Sequence, residues 1–147
     1  FATLAFAMLG YHTYKGMRER LRAERIYNEH YEAVGAWMAK YLPAGEVVFH
    51  ANWSDSQYFI GLNPKDDYFV TLDPIYMYYW NKRLYNLYRE IAFGRLNDPY
   101  AALKKIFKVT YGYAGRNYFS GLIAQVKADP RFEVMAEDNL GVVFRLK

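Results

Sequence analysis

Apolar positions in the first third of the chain repeat with the spacing of a helix. One set recurs at steps of four and three residues: Tyr27, Tyr31, Val34, Met38 and Tyr41. A second set runs from Gly10 to Leu21 with the same steps, and the register shifts between residues 22 and 25. Side chains three and four positions apart share one helix face, so the pattern predicts one long helix or two abutting helices up to about residue 42. Pro43 and Gly45 end this segment.

From residue 46 onward, short apolar runs alternate with helical segments. Strands are predicted where β-branched and aromatic residues cluster between turn signals, at residues 46–51, 68–72, 108–112, 132–136 and 141–146. Helices are predicted between them. Ser54 and Gln57 form a capping box, and Asp73 and Asp98 each precede a proline as helix N-caps. The helix that follows Asp73 is expected to end near Gly94.

The predicted order of elements after the first helix is β-α-β-α-α-β-α-β-β. This order is typical of an α/β fold in which a small, mostly parallel sheet carries helices on its faces and ends in an antiparallel hairpin. Residues 1–42 are expected to form a long N-terminal helical segment. Residues 43–147 are expected to form a single α/β domain, because no Ser/Gly-rich linker interrupts them.

Composition narrows the class of protein. The 147 residues, 53% of them hydrophobic, supply one packed core, and the absence of cysteine excludes disulfides and Cys-ligated metals. The formal charge is +4, but the segment from Lys15 to Arg25 contains five basic and two acidic residues. The rest of the chain is therefore close to neutral, which argues against a nucleic-acid-binding surface.

The first ten residues form an apolar run ahead of this basic cluster. The run has half the length of about 20 residues that a membrane-spanning helix requires. Two interpretations stay open: the end of a transmembrane helix whose remainder precedes Phe1, or an ordinary buried helix. An apolar run followed at once by Lys and Arg favours the first, because helices leave bilayers in that way. Residues 1–42 are therefore expected to include a juxtamembrane helix.

Ligand-binding residues are expected where the predicted parallel strands end, because ligands bind at the carboxyl edge of open α/β sheets. The loops after the first three strands carry six candidates: Trp53, Asp55, Asp73, Tyr76, Arg116 and Asn117. An aromatic face stacks on the CH groups of a sugar ring, and carboxylates and amides bond to its hydroxyls. The hypothesis is a site for a small ligand, either a sugar or a phosphate.

Simpler structural roles compete with these candidates. A helix cap accounts for Asp73, packing for Trp53, and the helix dipole for Asp55. The segment 112–117, with two glycines and Arg116, is the best phosphate candidate, against a plain strand-to-helix turn. A glycosidase-type pair of Asp55 and Asp73 is geometrically possible. The three histidines are far apart and lack ligand spacing, so neither a metal nor a cofactor is predicted.

The predicted helix between Tyr76 and Tyr88 is aromatic on more than one face. One sheet covers only one face of a helix, so these aromatic side chains have two explanations. They are buried in a two-layer core, or they lie at a membrane surface or partner contact, where Tyr and Trp are enriched.

Several short stretches carry a resemblance to a known family: Trp37, Pro43–Phe49, Trp53 with Asp55, Leu72–Pro74 and Asp129–Val134. Together they resemble the soluble C-terminal domain of bacterial GT-C-type membrane glycosyltransferases, which include the dolichyl-phosphate-mannose protein mannosyltransferase-like proteins. The similarity spans about residues 33–147, and its motifs are short.

The resemblance implies a domain that follows a bundle of transmembrane helices, in an enzyme whose sugar donor is a polyprenyl-phosphate sugar. The catalytic acids of such proteins lie in an early loop that this sequence does not contain. The domain is therefore expected to be accessory or acceptor-contacting rather than catalytic. It is expected to lie in the periplasm against its own transmembrane bundle or the membrane surface. The basic cluster instead favours the cytoplasmic side, but earlier helices usually set orientation.

Two other functions stay open on the residues alone. One is a free-standing α/β enzyme or small-ligand-binding domain that uses the residues around Trp53, Asp73 and Arg116. The other is a structural interaction domain.

Overall fold

The computed structural model describes residues 2–71 and 73–147, and the side chains of residues 8–26, 28–71 and 73–147. Its helices are α1 (Ala2–Tyr41), α2 (Asp55–Leu62), α3 (Ile75–Trp80), α4 (Lys82–Ala92), α5 (Pro99–Ala102), which continues into a π-helical turn at Leu103–Phe107, and α6 (Arg116–Ala128). Its strands are β1 (Val47–His50), β2 (Asp67–Tyr68), β3 (Tyr111–Gly115), β4 (Phe132–Glu137) and β5 (Gly141–Leu146).

The strands of the described chain form one mixed sheet in the order β2-β1-β3-β5-β4. Strand β1 pairs in parallel with both β2 and β3, whereas β5 pairs antiparallel with β3 and with β4. The predicted α/β fold, its C-terminal hairpin and its long N-terminal helix are confirmed. Because β1 and β3 are parallel neighbours, the loops that follow β1 and the start of α6 meet at one edge of the sheet.

Each face of the sheet has its own core, because successive side chains of a strand point to opposite faces. One face packs against α1 and α2 in a cluster that includes Tyr31, Met38, Val48, Phe59 and Tyr111. The other face packs against α4, α5 and α6 in a cluster that includes Phe49, Ile91, Ala114, Leu122 and Phe144. The sheet is therefore covered by helices on both sides.

Two helix predictions are wrong in detail. Ser54 has helical backbone angles and its side chain makes no cap hydrogen bond, so the predicted capping box is not formed. The turn instead begins at Asn52, whose carbonyl oxygen accepts the N–H of Asp55. The single helix expected after Asp73 is two helices, because Asn81 is extended and its side chain accepts the N–H of Leu84 as the N-cap of α4. Asp98 caps α5 as predicted.

Two strand predictions are also wrong in their bounds. Strand β2 has only two residues, and the N–H of Val70 donates to Nε2 of His50 instead of continuing the ladder. Leu72, at the end of the predicted strand, lies outside the described residues. Strand β3 begins at Tyr111 rather than residue 108, because Lys108 ends the π-helical turn with a φ of 54°. The strand therefore includes both Gly112 and Gly115.

Helix α1 has an exposed half and a docked half. Every described side chain from Met8 to Glu29 is exposed, over a length of about 33 Å at 1.5 Å per residue. From His30 onward, one face is buried against the sheet and α2. Lys65 donates from Nζ to the carbonyl oxygens of Ala39 and Leu42, both at 2.6 Å, and so satisfies the carboxyl end of the helix. The predicted apolar run of residues 1–10 lies mostly outside the described side chains.

The close contact between α1 and α2 depends on a glycine. A Cβ atom built on Gly35 would lie 2.5 Å from Cβ of Leu62, closer than two carbon atoms can pack. Gly16, in the exposed half of the same helix, has nothing within 4 Å of such an atom. Helix α1 can therefore approach α2 at this distance only with glycine at position 35.

We expect Gly35→Ala to destabilise the protein by about 1–3 kcal/mol, because α1 must move away from α2. Gly16→Ala is the matched control. It should stabilise the protein by at most about 1 kcal/mol, since alanine favours the helix. Urea unfolding followed by circular dichroism measures both values. Equal stability of the two variants would show that α1 does not pack closely on α2.

Candidate functional site

A pocket of about 380 Å³ opens at the carboxyl end of β1, between α4 and the start of α6. We call it the aromatic pocket, and its lining is Ala51, Asn52, Trp53, Asp73, Pro74, Tyr85, Tyr88, Arg89, Ala92, Phe93, Tyr118 and Phe119. It lies at the sheet edge where the sequence predicts a ligand site. Two of the predicted residues, Trp53 and Asp73, line it.

Buried side chains hold the segment after β1 in place. His50 donates from Nδ1 to the carbonyl oxygen of Asn52 at 2.7 Å, and its Nε2 accepts the N–H of Val70 at 3.3 Å. Burial lowers the pKa of His50 to about 4, so its ring is neutral at physiological pH and has one donor and one acceptor. Tyr88 donates to the carbonyl oxygen of Ala51 at 2.8 Å, and burial raises its pKa. These contacts position Asn52 and Trp53 at the edge of the pocket.

The walls of the aromatic pocket combine ring faces with one cation. Trp53 is 37% exposed and Tyr118 is 74% exposed, so parts of both rings are available to a ligand. The guanidinium of Arg89 lies 5.7 Å from the ring centre of Tyr85 and 5.8 Å from that of Phe93. Stacking on these rings orients a charged hydrogen-bond donor at the pocket.

Asp73 combines a local structural role with a place in the pocket. Its Oδ1 accepts the N–H of Ile75 at 2.9 Å, but the N-cap of α3 is Pro74 rather than the predicted Asp73, because the helix begins at Ile75. The side chain is exposed and lines the aromatic pocket. Its Oδ1 is therefore engaged by the backbone, and the carboxylate faces a space that a ligand can enter.

A second, narrow cleft of about 40 Å³ adjoins the aromatic pocket. We call it the polar cleft, and its lining is His30, Tyr31, Asn52, Asp55, Tyr113, Gly115, Asn117, Tyr118, Phe119 and Leu140. Asn52, Tyr118 and Phe119 line both spaces. The predicted residues Asp55 and Asn117 lie here rather than in the aromatic pocket.

A carboxylate, an imidazole and a phenol form a chain of hydrogen bonds at this cleft. Nδ1 of His30 lies 2.6 Å from Oδ2 of Asp138, and Nε2 of His30 lies 2.7 Å from the hydroxyl of Tyr113. A carboxylate only accepts, so Nδ1 carries a hydrogen. Burial raises the pKa of Asp138, but the N–H groups of Leu140 and Gly141 and the His30 ring outweigh it, and the pKa lies below its usual range. Asp138 is thus ionised where it meets His30.

Asp55 is a buried carboxyl group with one engaged oxygen. The residue is 1% exposed, and the hydroxyl of Tyr31 donates to its Oδ1 at 2.6 Å. Oδ2 makes no hydrogen bond of normal geometry among the described residues, although Asn52 lies near enough to the carboxyl group to lower its pKa. Burial raises the pKa of Asp55 from 3.8 to about 7, against the smaller opposing effects of Tyr31 and Asn52. A carboxyl group with this pKa exists in both protonation states at neutral pH.

The remaining predicted residues lie outside the aromatic pocket. Tyr76 is 66% exposed on α3 and lines neither space. The guanidinium of Arg116 forms an ion pair with Glu137, and its Nε donates to the carbonyl oxygen of Asp138 at 3.0 Å. Both contacts hold the β4–β5 hairpin against the start of α6. An anion at Arg116 would compete with Glu137 for the same guanidinium.

The glycine-containing loop that suggested a phosphate site does not exist as a loop. Gly112 and Gly115 belong to β3, and α6 begins directly at Arg116. A Cβ atom on Gly112 would lie 2.3 Å from the Phe144 ring, so this glycine is required for packing. Within residues 2–71 and 73–147, no cluster of three His, Asp or Glu side chains has the arrangement of a metal site.

Sequence patterns missed several residues of the site. Tyr85, Arg89 and Tyr118 enter the aromatic pocket from α4 and α6, and His30 and Tyr31 enter the polar cleft from α1. Tyr31 belongs to the helical stripe found in the sequence, which marks it as buried but not as a partner of Asp55. The contact between His30 and Asp138 joins residues 108 positions apart, and no local pattern signals it.

No family model, curated protein or solved structure matches this chain at a significant level. The resemblance to the glycosyltransferase domain therefore stays a prediction.

We expect the stability difference between wild type and Asp55→Asn to depend on pH. The pKa of Asp55 is about 7 in the folded state, against 3.8 as the ordinary value. The folded state therefore keeps a proton that the unfolded state releases, and Asp55 loses stabilising effect as pH rises from 3.8 towards 7. Between pH 5 and pH 8, the wild type should lose roughly 2–3 kcal/mol relative to Asp55→Asn.

Urea unfolding of both proteins at the two pH values measures this change. Asp67→Asn removes an exposed carboxylate from β2 and corrects for the loss of one negative charge. A pH-independent difference between wild type and Asp55→Asn would contradict a raised pKa at this residue.

Proposed function

We propose that this chain is a carbohydrate-binding, acceptor-contacting domain of a membrane glycosyltransferase-like protein, and that it lies outside the cytoplasm. The aromatic pocket holds the sugar, and exposed surfaces of α1 and α3 contact the membrane or its transmembrane helices. The domain positions a glycan and does not itself carry the catalytic acids. The aromatic pocket at the carboxyl end of β1 is the observation that carries the proposal.

The size and lining of the pocket support a sugar ligand. Its volume of about 380 Å³ lies within the range of small-molecule sites, 300–1,000 Å³. Trp53 and Tyr118 offer ring faces for the CH groups of a pyranose, and Asn52, Asp73 and Arg89 offer groups that bond to hydroxyls. Apolar ring faces beside a few polar groups match the two surfaces of a sugar ring.

Two exposed surfaces support contact with a membrane. Helix α3 has no buried residue, and Tyr76, Tyr79 and Trp80 are 66%, 80% and 78% exposed. Lys82 and Arg83 follow directly at the start of α4. Aromatic rings beside basic groups are enriched at the level of lipid headgroups. This exposure favours the interface explanation of the aromatic surplus over burial in the core.

Helix α1 adds a second surface of the same kind. Its exposed half carries Tyr11, Tyr14, Met17 and Leu21 beside the basic residues of the 15–25 segment. Among the described residues, no helix has the length and apolar character needed to cross a bilayer. We therefore propose surface contact for this part of α1, with lipid or with transmembrane helices.

We expect the protein to bind a simple glycoside through Trp53. Methyl glycosides of mannose, glucose and galactose are titrated into the protein and followed by isothermal calorimetry. Trp53→Ala should weaken binding about fivefold to tenfold, because it removes the ring face on which the sugar stacks. Trp80→Ala removes an equally large ring outside the pocket and should bind like wild type. Absence of binding by wild type, or equal losses in both variants, would refute the proposal.

We expect the α3 surface to bind anionic vesicles. Phosphatidylglycerol vesicles are sedimented with wild type and with the double variant Tyr79→Ser/Trp80→Ser, which should bind at least about fivefold more weakly. Trp53→Ala should sediment like wild type, since Trp53 lies in the aromatic pocket. If the double variant and wild type sediment equally, α3 is not a membrane-contacting surface.

A further inference from the structure

The polar cleft extends the aromatic pocket by a space for one small group. The two spaces share Asn52, Tyr118 and Phe119, so a ligand in the aromatic pocket lies at the entrance of the cleft. The cleft volume of about 40 Å³ accommodates one water-sized group and excludes a ring. A hydroxyl substituent of a sugar has this size.

Most polar groups of the cleft already have partners. His30 uses one ring nitrogen for Asp138 and the other for Tyr113. Tyr31 donates its hydroxyl hydrogen to Oδ1 of Asp55. These bonds fix the walls of the cleft.

Oδ2 of Asp55 is the exception. It is buried without a hydrogen-bond partner among the described residues, although the side chain belongs to the lining of the cleft. A buried acceptor without a donor is energetically costly and is uncommon in folded proteins. A donor that enters the cleft would satisfy this oxygen. An anion would be repelled by the carboxylate, so the entering group is an uncharged or cationic donor, and on a neutral sugar that donor is a hydroxyl group.

From this geometry we infer that the polar cleft receives one hydroxyl group of the bound sugar, that this hydroxyl donates to Oδ2 of Asp55, and that Asp55 determines specificity at that position. The inference rests on the proposed sugar site and names the part of the ligand that the site selects. Asp55 thereby discriminates a hydroxyl from a hydrogen atom or an anionic substituent at one ring position.

A hydroxyl donor makes binding depend on the protonation state of Asp55. Hydrogen bonds to an ionised carboxylate are stronger than those to a neutral carboxyl group. The ligand therefore prefers the ionised form, and affinity should rise as pH passes through about 7, the pKa of Asp55.

Other titratable groups lie around Asp55. The cleft is lined beside it by His30 and Tyr31 on α1, Tyr113 on β3 and Tyr118 on α6. Tyr88 on α4 interacts electrostatically with Asp55, Asp138 contacts His30, and His50 on β1 contacts Asn52. His50 has a pKa of about 4, below the pH range that tests the inference. Burial raises the pKa of Tyr88 above its ordinary value of 10.0, beyond the upper end of that range. The Asp55→Asn variant removes the carboxyl group and leaves His30 unchanged, so any pH dependence that remains in it does not come from Asp55.

The experiment measures the affinity of the tightest-binding methyl hexopyranoside at pH 5.5, 7 and 8.5. Wild type should bind about tenfold more tightly at pH 8.5 than at pH 5.5. Asp55→Asn keeps the acceptor for Tyr31 but does not ionise, so its affinity should not change with pH. Asp67→Asn, an exposed carboxylate on β2, should keep the wild-type dependence. Of the monodeoxy analogues of the glycoside, one should lose the pH dependence in wild type.

A second variant tests the same inference without changing Asp55. Tyr31→Phe removes the hydrogen bond that lowers the pKa of Asp55, so the midpoint of the pH dependence should move to higher pH. This variant decides the question if Asp55→Asn does not fold. An unchanged midpoint in folded Tyr31→Phe would overturn the inference.

Failure of the inference differs from failure of the proposed function. If wild type binds the glycoside with the same affinity at all three pH values, or if Asp55→Asn keeps the pH dependence, the inference is wrong and the sugar site stands. If no glycoside binds at any pH, the sugar site and the inference are both wrong.

Discussion

The second half of α1 packs on the sheet, and the rest of the structure depends on this contact. From His30 to Leu42, one helix face covers the sheet and packs on α2, with Gly35 allowing the close approach to Leu62. This contact completes the core on one face of the sheet. It also turns the region around Asp55 into a buried site, because Tyr31 of α1 lies on the carboxyl group. The exposed half of α1 is then held at a fixed direction relative to the domain.

The burial of Asp55 connects the fold to its chemistry. A carboxyl group at the first turn of a helix usually benefits from the helix dipole and from water. Here the docking of α1 removes the water, and the loss of hydration outweighs both the dipole and the Tyr31 hydrogen bond. The result is a carboxyl group that titrates near neutral pH beside a pocket with aromatic walls. Burying this carboxyl group lowers the stability of the fold, and the packing of the two cores on either side of the sheet offsets that loss.

The exposed aromatic rings follow from a break in one helix. The sequence predicts a single helix from Asp73 to about Gly94. Asn81 interrupts it, so that α4 buries Tyr88 and Ile91 while α3 has no fully buried residue and only Met77 among its side chains packs against the core. A polar cap in mid-segment thus separates the residues that build the core from those that are available to a membrane or a ligand.

Much of the fold was predictable because its signals are local. The stripe of α1, the proline after Asp98 and the alternating strands of the C-terminal hairpin all reflect the periodicity and capping preferences of the backbone. Predictions were wrong where a tertiary contact competed with such a signal. The side chain of His50 accepts a hydrogen bond from the N–H of Val70, and β2 is shorter as a result. Gly112 packs on the ring of Phe144 and lies in a strand rather than in a loop.

The sequence alone determined the α/β class, the element order and the sheet edge at which Trp53, Asp55 and Asp73 would lie, because these follow from short-range patterns and from the parallel arrangement of strands. The tertiary structure decided which of these residues share a space, and it added His30, Tyr31, Arg89 and Tyr118 from distant segments. It also decided the protonation of Asp55. Burial and partners at a distance set a pKa, and neither is encoded in the residues next to it along the chain.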